Sequence, residues 1–280
     1  HATTRFWLNR DLDRRLGGVA PDTGEDLLSK LEEARILDIV PLAIGHEAWE
    51  HTLLFEAVAA GAGGAEFYRR AFLELDPTAL DENLLLAIFQ RMSQLREYLD
   101  EDFSRITWNQ ATRLILSGEA LLQVQGSWVD GEFSYYGYIP GQDYACFRFP
   151  DTQGMFLFNS DQYMLFEQGP GDEEARREFV STLMDVDLQR DVNVSSGAAP
   201  ARVDVPGDAF NPCGRQAISD MRSTNMRRTL MGSIAMGNAN PPEVKNAIYQ
   251  VVSDHLYGRI DDEEAVHRLR EALMNHSAGR

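Results

Sequence analysis

Cysteine is scarce in this sequence, with two residues, Cys146 and Cys213, in a chain of 280. Their spacing is neither that of a zinc site nor that of a CxxC redox pair. A disulfide between them is open to the sequence, and two separate buried thiols are the expectation. Positive charge is short as well: 26 Lys and Arg stand against 44 Asp and Glu, a net charge of −18 at pH 7. A surface of that sign repels phosphate backbones and anionic headgroups, which argues against nucleic acid and membrane surfaces as partners. No apolar run approaches the roughly 20 residues of a membrane span, and the first residues lack a basic stretch followed by an apolar one. Neither membrane insertion nor an export leader is expected from the chain as it stands.

Catalytic signatures are also missing. There is no GxGxxG, Walker loop, HExxH or GxSxG, so no nucleotide cofactor, metal or hydrolase elbow is expected. His46 and His51 lie five apart around Trp49, off the i,i+4 spacing that places two ligands on one helical face, and are expected at the surface or in a groove. His1 could chelate copper through amine and ring, but nothing else in the chain supports that reading. His255 and His267 are expected as solvated or capping residues. Asp185 and Asp187 look like helix-terminal charge, not an acid/base pair. No repeat, low-complexity tract or heptad seam occurs, which excludes solenoids, propellers and coiled coils.

What is present is ordinary globular composition, 44% hydrophobic and 25% charged, arranged mainly as helices. Thr23 followed by Asp26 announces a helix whose apolar stripe is Leu27, Leu28, Leu31 and Ile36. Residues 40–45, VPLAIG, read as a buried strand, and 47–60 and 66–75 as two helices. Residues 82–103 form the longest predicted helix, with Leu84, Ile88, Met92, Leu95 and Leu99 on one stripe. Thr107 with Gln110 opens a helix that Gly118 closes, and ALLQVQG follows as a strand. Further strands fit YACFRF and MFLFNSDQYMLF, and helices return in the second half from DEEARREF, NPCGRQA, PPEVKNA and DDEEAVH. Five or six short strands among dominant helices make the fold class α/β and helix-rich. Aromatics gather near turn residues: Trp49, Trp128, Tyr135, Tyr136 and Tyr138. A flat ring beside Asp, Asn and Gln suits the C–H face and hydroxyls of a sugar, while core packing is the commoner fate of any one of them.

The order of these pieces resembles the extracellular solute-binding proteins of ABC sugar importers, in particular their glucose/mannose-binding branch. FWLNRDL with APDTGEDLL, VPLAIG before Trp49, LSGEALLQVQGSWVDG, TQGMFLFNSDQYML, SSGAAPARVDV, FNPCGRQAISDMRS and GSIAMGNANPP carry the likeness over essentially the whole chain. The resemblance implies a type II periplasmic-binding fold of two α/β lobes with the ligand between them, and no catalysis. It implies that Trp128 is a platform for a sugar ring, that Asp161 accepts hydrogen bonds from sugar hydroxyls, and that Trp49 lines the cleft. Ser196 stands where the glucose branch has lysine and Met236 where it has histidine, so both positions have lost a donor and glucose specificity is not carried over. Ser127 and Gly24 also depart from the pattern.

By this likeness the chain begins after the segment that builds the first lobe's sheet. Residues 1–155 and 204–280 would form the second lobe, and 156–203 a hinge strand and helix left from the first. The helix carrying Phe179, Val180 and Leu183 would then show an apolar stripe. A homo-oligomer or a separately encoded first lobe would cover it, and an ABC permease would be the further partner. The family works outside the cytoplasmic membrane, whereas a chain made without a leader would stay in the cytoplasm. The alternative to carbohydrate binding is an assembly protein that keeps the second-lobe fold.

Overall fold

The capping signals set the helix starts. In a computed structural model describing residues 1–166 and 172–277, the chain runs β1 (Ala2–Asn9), α1 (Arg10–Arg15), α2 (Gly24–Ile36), β2 (Val40–Ala43), α3 (Ala48–Tyr68), α4 (Glu82–Arg96), α5 (Trp108–Ser117), β3 (Ala120–Gly126), α6 (Val129–Tyr135), β4 (Tyr144–Phe147), β5 (Phe156–Asn159), α7 (Glu173–Leu183), α8 (Val186–Ser196), α9 (Pro212–Arg227), β6 (Leu230–Gly232), α10 (Pro242–Leu256) and α11 (Asp262–Ser277). The fold is α/β and helix-rich, as expected. Thr23 and Asp26 form a reciprocal capping box on α2, Thr107 and Gln110 form another on α5, and Gly118 closes α5 in the left-handed conformation. Of the α2 stripe, Leu27 and Leu31 are buried and Ile36 is exposed.

One mixed sheet organises the chain, in the order β2-β3-β1-β5-β6 with β4 also on β1. β1 pairs antiparallel with β3 from Thr4↔Gly126 to Leu8↔Leu122, with β4 through Phe6 to Asn9, and with β5 through Ala2 and Thr3. β2 is parallel to β3 and β6 to β5. Among the described residues five strands therefore run one way and β1 alone runs against them. Alternation along β1 divides the core: Phe6 and Leu8 join the large cluster under α2, α3, α4, α10 and α11, while Trp7 joins a second cluster with Ala111 and Ile115 of α5 and Phe133 of α6. A third cluster packs Ala217, Ile218 and Met221 of α9 against Phe156.

Several expectations are corrected. Cys146 and Cys213 are not separate thiols but a disulfide joining β4 to α9. The predicted helix over 82–103 stops at Arg96 because the edge of β2 takes the chain: Leu42 N–H donates to Tyr98 O (3.1 Å) and Asp100 N–H to Leu42 O (3.3 Å). The longer helix is α3, which splices the two predicted helices, with Gly64 at φ 73° as the break between them. His51 and His255 are buried rather than solvated. The His51 ring spans Gly45 O (3.1 Å) and Ser253 Oγ (3.0 Å), and burial holds its pKa down at about 4. His255 Nε2 meets Asp262 at 2.7 Å, and burial likewise lowers its pKa. Helices α6 and α8 were not foreseen. The strand expected over 155–166 pairs only as far as Asn159.

Within residues 156–203, β5 is part of the sheet, and α7 and α8 stand outside the three core clusters' buried residues. Phe179 and Val180 are 41% and 44% exposed, Leu183 is half-buried, and Tyr163 sets its ring against Phe179 at 5.8 Å. The apolar stripe expected on this helix is thus open to solvent.

Candidate functional site

Strand directions put the carboxyl ends of β2, β3, β5 and β6 at the same end of the sheet, together with the start of β1. In open α/β sheets this is where ligands settle, and the place where strand order changes is favoured. Here that place is β1, flanked by β3 and β5.

Trp128 lies two residues past the end of β3. Its six-membered ring folds back over Gly126, where any side chain would occupy the same space. A glycine two residues ahead of Trp128 is therefore a steric requirement of the indole's pose. Ser127 is buried and its hydroxyl accepts from Thr3 N–H (3.3 Å), which ties the end of β3 to the start of β1. Trp49 enters from the first turn of α3, beyond β2. The two indoles meet edge-on, with centroids 6.0 Å apart and planes at 60°, and each stays half-buried. The turn before Trp49 is held by Glu50, which accepts from Gly45 N–H (2.9 Å) and Glu47 N–H (3.4 Å). Burial pushes the Glu50 carboxyl up to about 8.

The floor beside Trp128 is rigid. Asp130 on α6 accepts from the Tyr144 hydroxyl (2.5 Å) and from Asn211 Nδ2 (2.7 Å), the residue that caps α9. Burial raises the Asp130 pKa, and these two bonds oppose the rise. Ser196 ends α8 against this floor. Gly197 closes the helix with φ 71°, and a Cβ there would overlap Ser127 O and Asp130 Cβ. Ser196 is thereby placed next to the Trp128 segment.

Asp161 lies just past β5, exposed. Nearby, the His1 nitrogen donates to Ala199 O (2.6 Å), and the His1 ring packs edge-on against Phe158 at 5.6 Å. Met236 sits half-buried in the turn after β6. All five residues singled out from the sequence thus belong to the same end of the sheet. The structure brings Trp49 and Trp128 into ring contact, places Ser196 beside them, and sets Asp161 and Met236 at the ends of the neighbouring strands. The buried Glu56 and Tyr68 and the half-buried Tyr249 also reach this end, and no short-range sequence signal marks them. Among the described residues no cluster of His, Cys, Asp and Glu has the shape of a metal site.

No family model matches the chain. A "Probable sugar-binding periplasmic protein" of Brucella suis is 40% identical over 273 residues, covering 98% of this chain and 65% of its own length. A protein of the same description from Rhizobium meliloti is 39% identical, covering 98% and 66%. The chain is similar in sequence to these proteins over almost its whole length. It spans about two thirds of the length of the curated relatives it matches. A solved structure described as a chitin oligosaccharide binding protein superposes with a TM-score of 0.81 at 19% identity, over 99% of this chain and 70% of that one. The bacterial solute receptor AcbH, described as preferring β-D-galactopyranose, superposes with a TM-score of 0.78 at 13% identity, over the same shares. These likenesses establish the solute-binding fold.

Proposed function

We propose that this chain binds a carbohydrate at the carboxyl end of its sheet, as part of the substrate-binding component of an ABC transporter. The observation that carries the reading is the Trp49–Trp128 pair, two half-exposed indoles at an angle, held by buried carboxylates and backbone at the place where such sheets take ligands. A sugar presents a C–H face to an indole and hydroxyls to its surroundings. Trp128 supplies the face and Trp49 the adjoining wall. Asp161, exposed and charged, accepts from hydroxyls. Ser196 contributes a small polar contact, and Met236 an apolar one where a donor would otherwise stand, which favours a ligand other than glucose.

Residues 1–155 and 204–280 form the second lobe in this reading, and 156–203 belong to the first. The relatives' extra length supports a further lobe that would close over the site. The ABC permease, and either that lobe encoded separately or a second copy of this chain, are the proposed partners. A disulfide persists in oxidising compartments, so the Cys146–Cys213 bond supports a periplasmic or other extracytoplasmic setting, as do the relatives' descriptions. An assembly role is the second reading, and the open face of α7 is what favours it.

Titration of tryptophan fluorescence with galactose, maltose, raffinose and chitobiose tests the site. At least one sugar should saturate the signal, and Trp128→Ala should weaken it tenfold or more, about 1.4 kcal/mol. Full affinity in both Trp128→Ala and Trp49→Ala would remove the indoles from the site.

A further inference from the structure

The turn after β6 has no regular structure of its own, yet it brings Met236 to the ligand end. Side chains from α3 hold it residue by residue. The Tyr68 hydroxyl shares its proton between Gly232 O (3.1 Å) and Glu56 (3.4 Å), and accepts from Ile234 N–H (3.3 Å). Glu56 accepts from the Ser233 hydroxyl (2.8 and 2.9 Å) and from Ala235 N–H (3.1 Å). The Ser233 oxygen in turn accepts from Met236 N–H (3.1 Å). Ala235 O takes the Tyr249 hydroxyl of α10.

Glu56 also reaches the opposite wall. Thr4 Oγ1 donates to it (3.1 Å), and the preceding Thr3 is the residue bonded to Ser127 at the root of Trp128. Trp49 and Glu56 are seven residues apart on α3, two turns along one face. The Glu56 carboxyl is fully buried, and no Lys, Arg or His pairs with it among the described residues. Burying such a group without a cation is costly. Gln would occupy nearly the same volume at lower cost. What the carboxylate adds is acceptor capacity for donors arriving from three separate segments.

We propose that Glu56 is a positioning residue of the ligand site: its carboxylate clamps the 233–236 turn to the start of β1, fixing the separation between the Met236 wall and the Trp128 wall. The inference rests on the carboxyl end of the sheet being the ligand site. A shift of about 1 Å in such a wall is enough to degrade binding geometry. Glu56→Gln keeps the shape and one acceptor oxygen, but turns an NH2 group toward hydroxyl and amide donors.

The test compares wild type, Glu56→Gln and Glu56→Asp by sugar titration with galactose, maltose, raffinose and chitobiose, by melting temperature, and by hydrogen exchange of the Ala235 and Met236 amides. Glu56→Gln should melt near wild type, bind the recognised sugar at least tenfold more weakly, and exchange these two amides at least tenfold faster. Glu56→Asp should recover part of both. Should Glu56→Gln fail to fold, Ser233→Ala serves instead, and it should free the Met236 amide with the same loss of affinity. Unchanged affinity in the folded variant, whether or not exchange quickens, would overturn the positioning role. Failure of wild type to bind any of the sugars would instead overturn the reading of the site, while the exchange comparison still decides whether Glu56 holds the turn.

Discussion

Helices α3 and α7 show two ways of being apolar. α3 buries residues on every side, among them Leu53, Leu54, Phe55, Val58, Phe67 and Tyr68, and even its Glu50, His51, Thr52 and Glu56 are inside. α7 is amphipathic and buries none of its residues, leaving Phe179 and Val180 in solvent. A helix that is apolar all round has its surroundings built to match, and one with a bare stripe does not. Function follows the difference: α3 supplies both an indole of the candidate site and the carboxylates that hold the flanking turns, while α7 offers only a surface.

The sharpest way to break this comparison is to truncate one ring in each helix. Phe55 is fully buried and touches Phe72 and Phe89 at 5.9 and 5.5 Å between centroids. Phe55→Ala should cost about 3–5 kcal/mol in denaturant unfolding. Phe179→Ala should stay within about 0.5 kcal/mol. Equal costs would mean that α7 is packed as firmly as α3.

Next in size is the disulfide, which fastens β4 to α9 across the second core. It closes a loop with a sequence separation of 67, worth up to about 4 kcal/mol by loop entropy. The double variant Cys146→Ser with Cys213→Ser should melt roughly 10 °C lower, at about 2–4 °C per kcal/mol. A change under about 2 °C would show that the two elements are held by packing alone.

The ionisable groups inside α3 give it a pH response of two opposed signs. Burial raises Glu50 to about 8 and Glu56 to about 7 from an ordinary 4.5, and the hydrogen bonds on Glu56 oppose its rise, so Glu50 stays neutral while Glu56 becomes a carboxylate as pH passes 7. Their contribution to stability is complete below pH 4.5 and is lost as pH rises through 7 to 8. His51 is lowered from 6.5 to about 4, so its contribution is complete above pH 6.5 and is lost as pH falls through 4. Between pH 6.5 and 4.5 the two buried carboxyls each hold a proton that the unfolded chain has released, against the one proton that His51 lacks, so wild-type stability rises as pH falls. Replacing Glu50 by Gln leaves Glu56 and His51 to offset one another, so the variant's melting temperature should stay level across that interval where wild type rises by a few degrees. A variant whose profile overlays wild type would take Glu50 out of the balance.

Much of this was legible in local sequence, because local physics decided it. Thr23 with Asp26 and Thr107 with Gln110 are reciprocal caps three residues apart, and Gly118 closes α5 by its own backbone freedom. Trp128 became a candidate through the order of motifs around it. What escaped depends on contacts far apart in sequence. The partners of Glu56 lie 52 and 177 residues away at Thr4 and Ser233. The disulfide forms because the sheet brings β4 beside α9, which spacing alone does not encode. Helix α8, with Val186, Val192 and Val194 among its residues, has weak intrinsic propensity, and its Asp185 cap and the close seat of Gly197 against Ser127 fix its two ends.

The smallest expected effect on stability carries the most information about α7. In the proposed self-association, Phe179 and Val180 of one copy meet another copy of the chain. Introducing Asp at both positions should leave the melting temperature within about 2 °C, since neither side chain is buried. The same change should shift light-scattering mass from dimer to monomer, because two carboxylates cannot be desolvated face to face at modest cost. A wild-type chain that is already monomeric would exclude the second copy and turn attention to a separately encoded lobe as the cover for this stripe. A variant that stays dimeric would move the interface elsewhere, to a surface such as the exposed Tyr135 and Tyr136 beyond α6. Either result would leave α3 unaffected, and that independence is what separates a helix shaped by its own core from one shaped by something outside it.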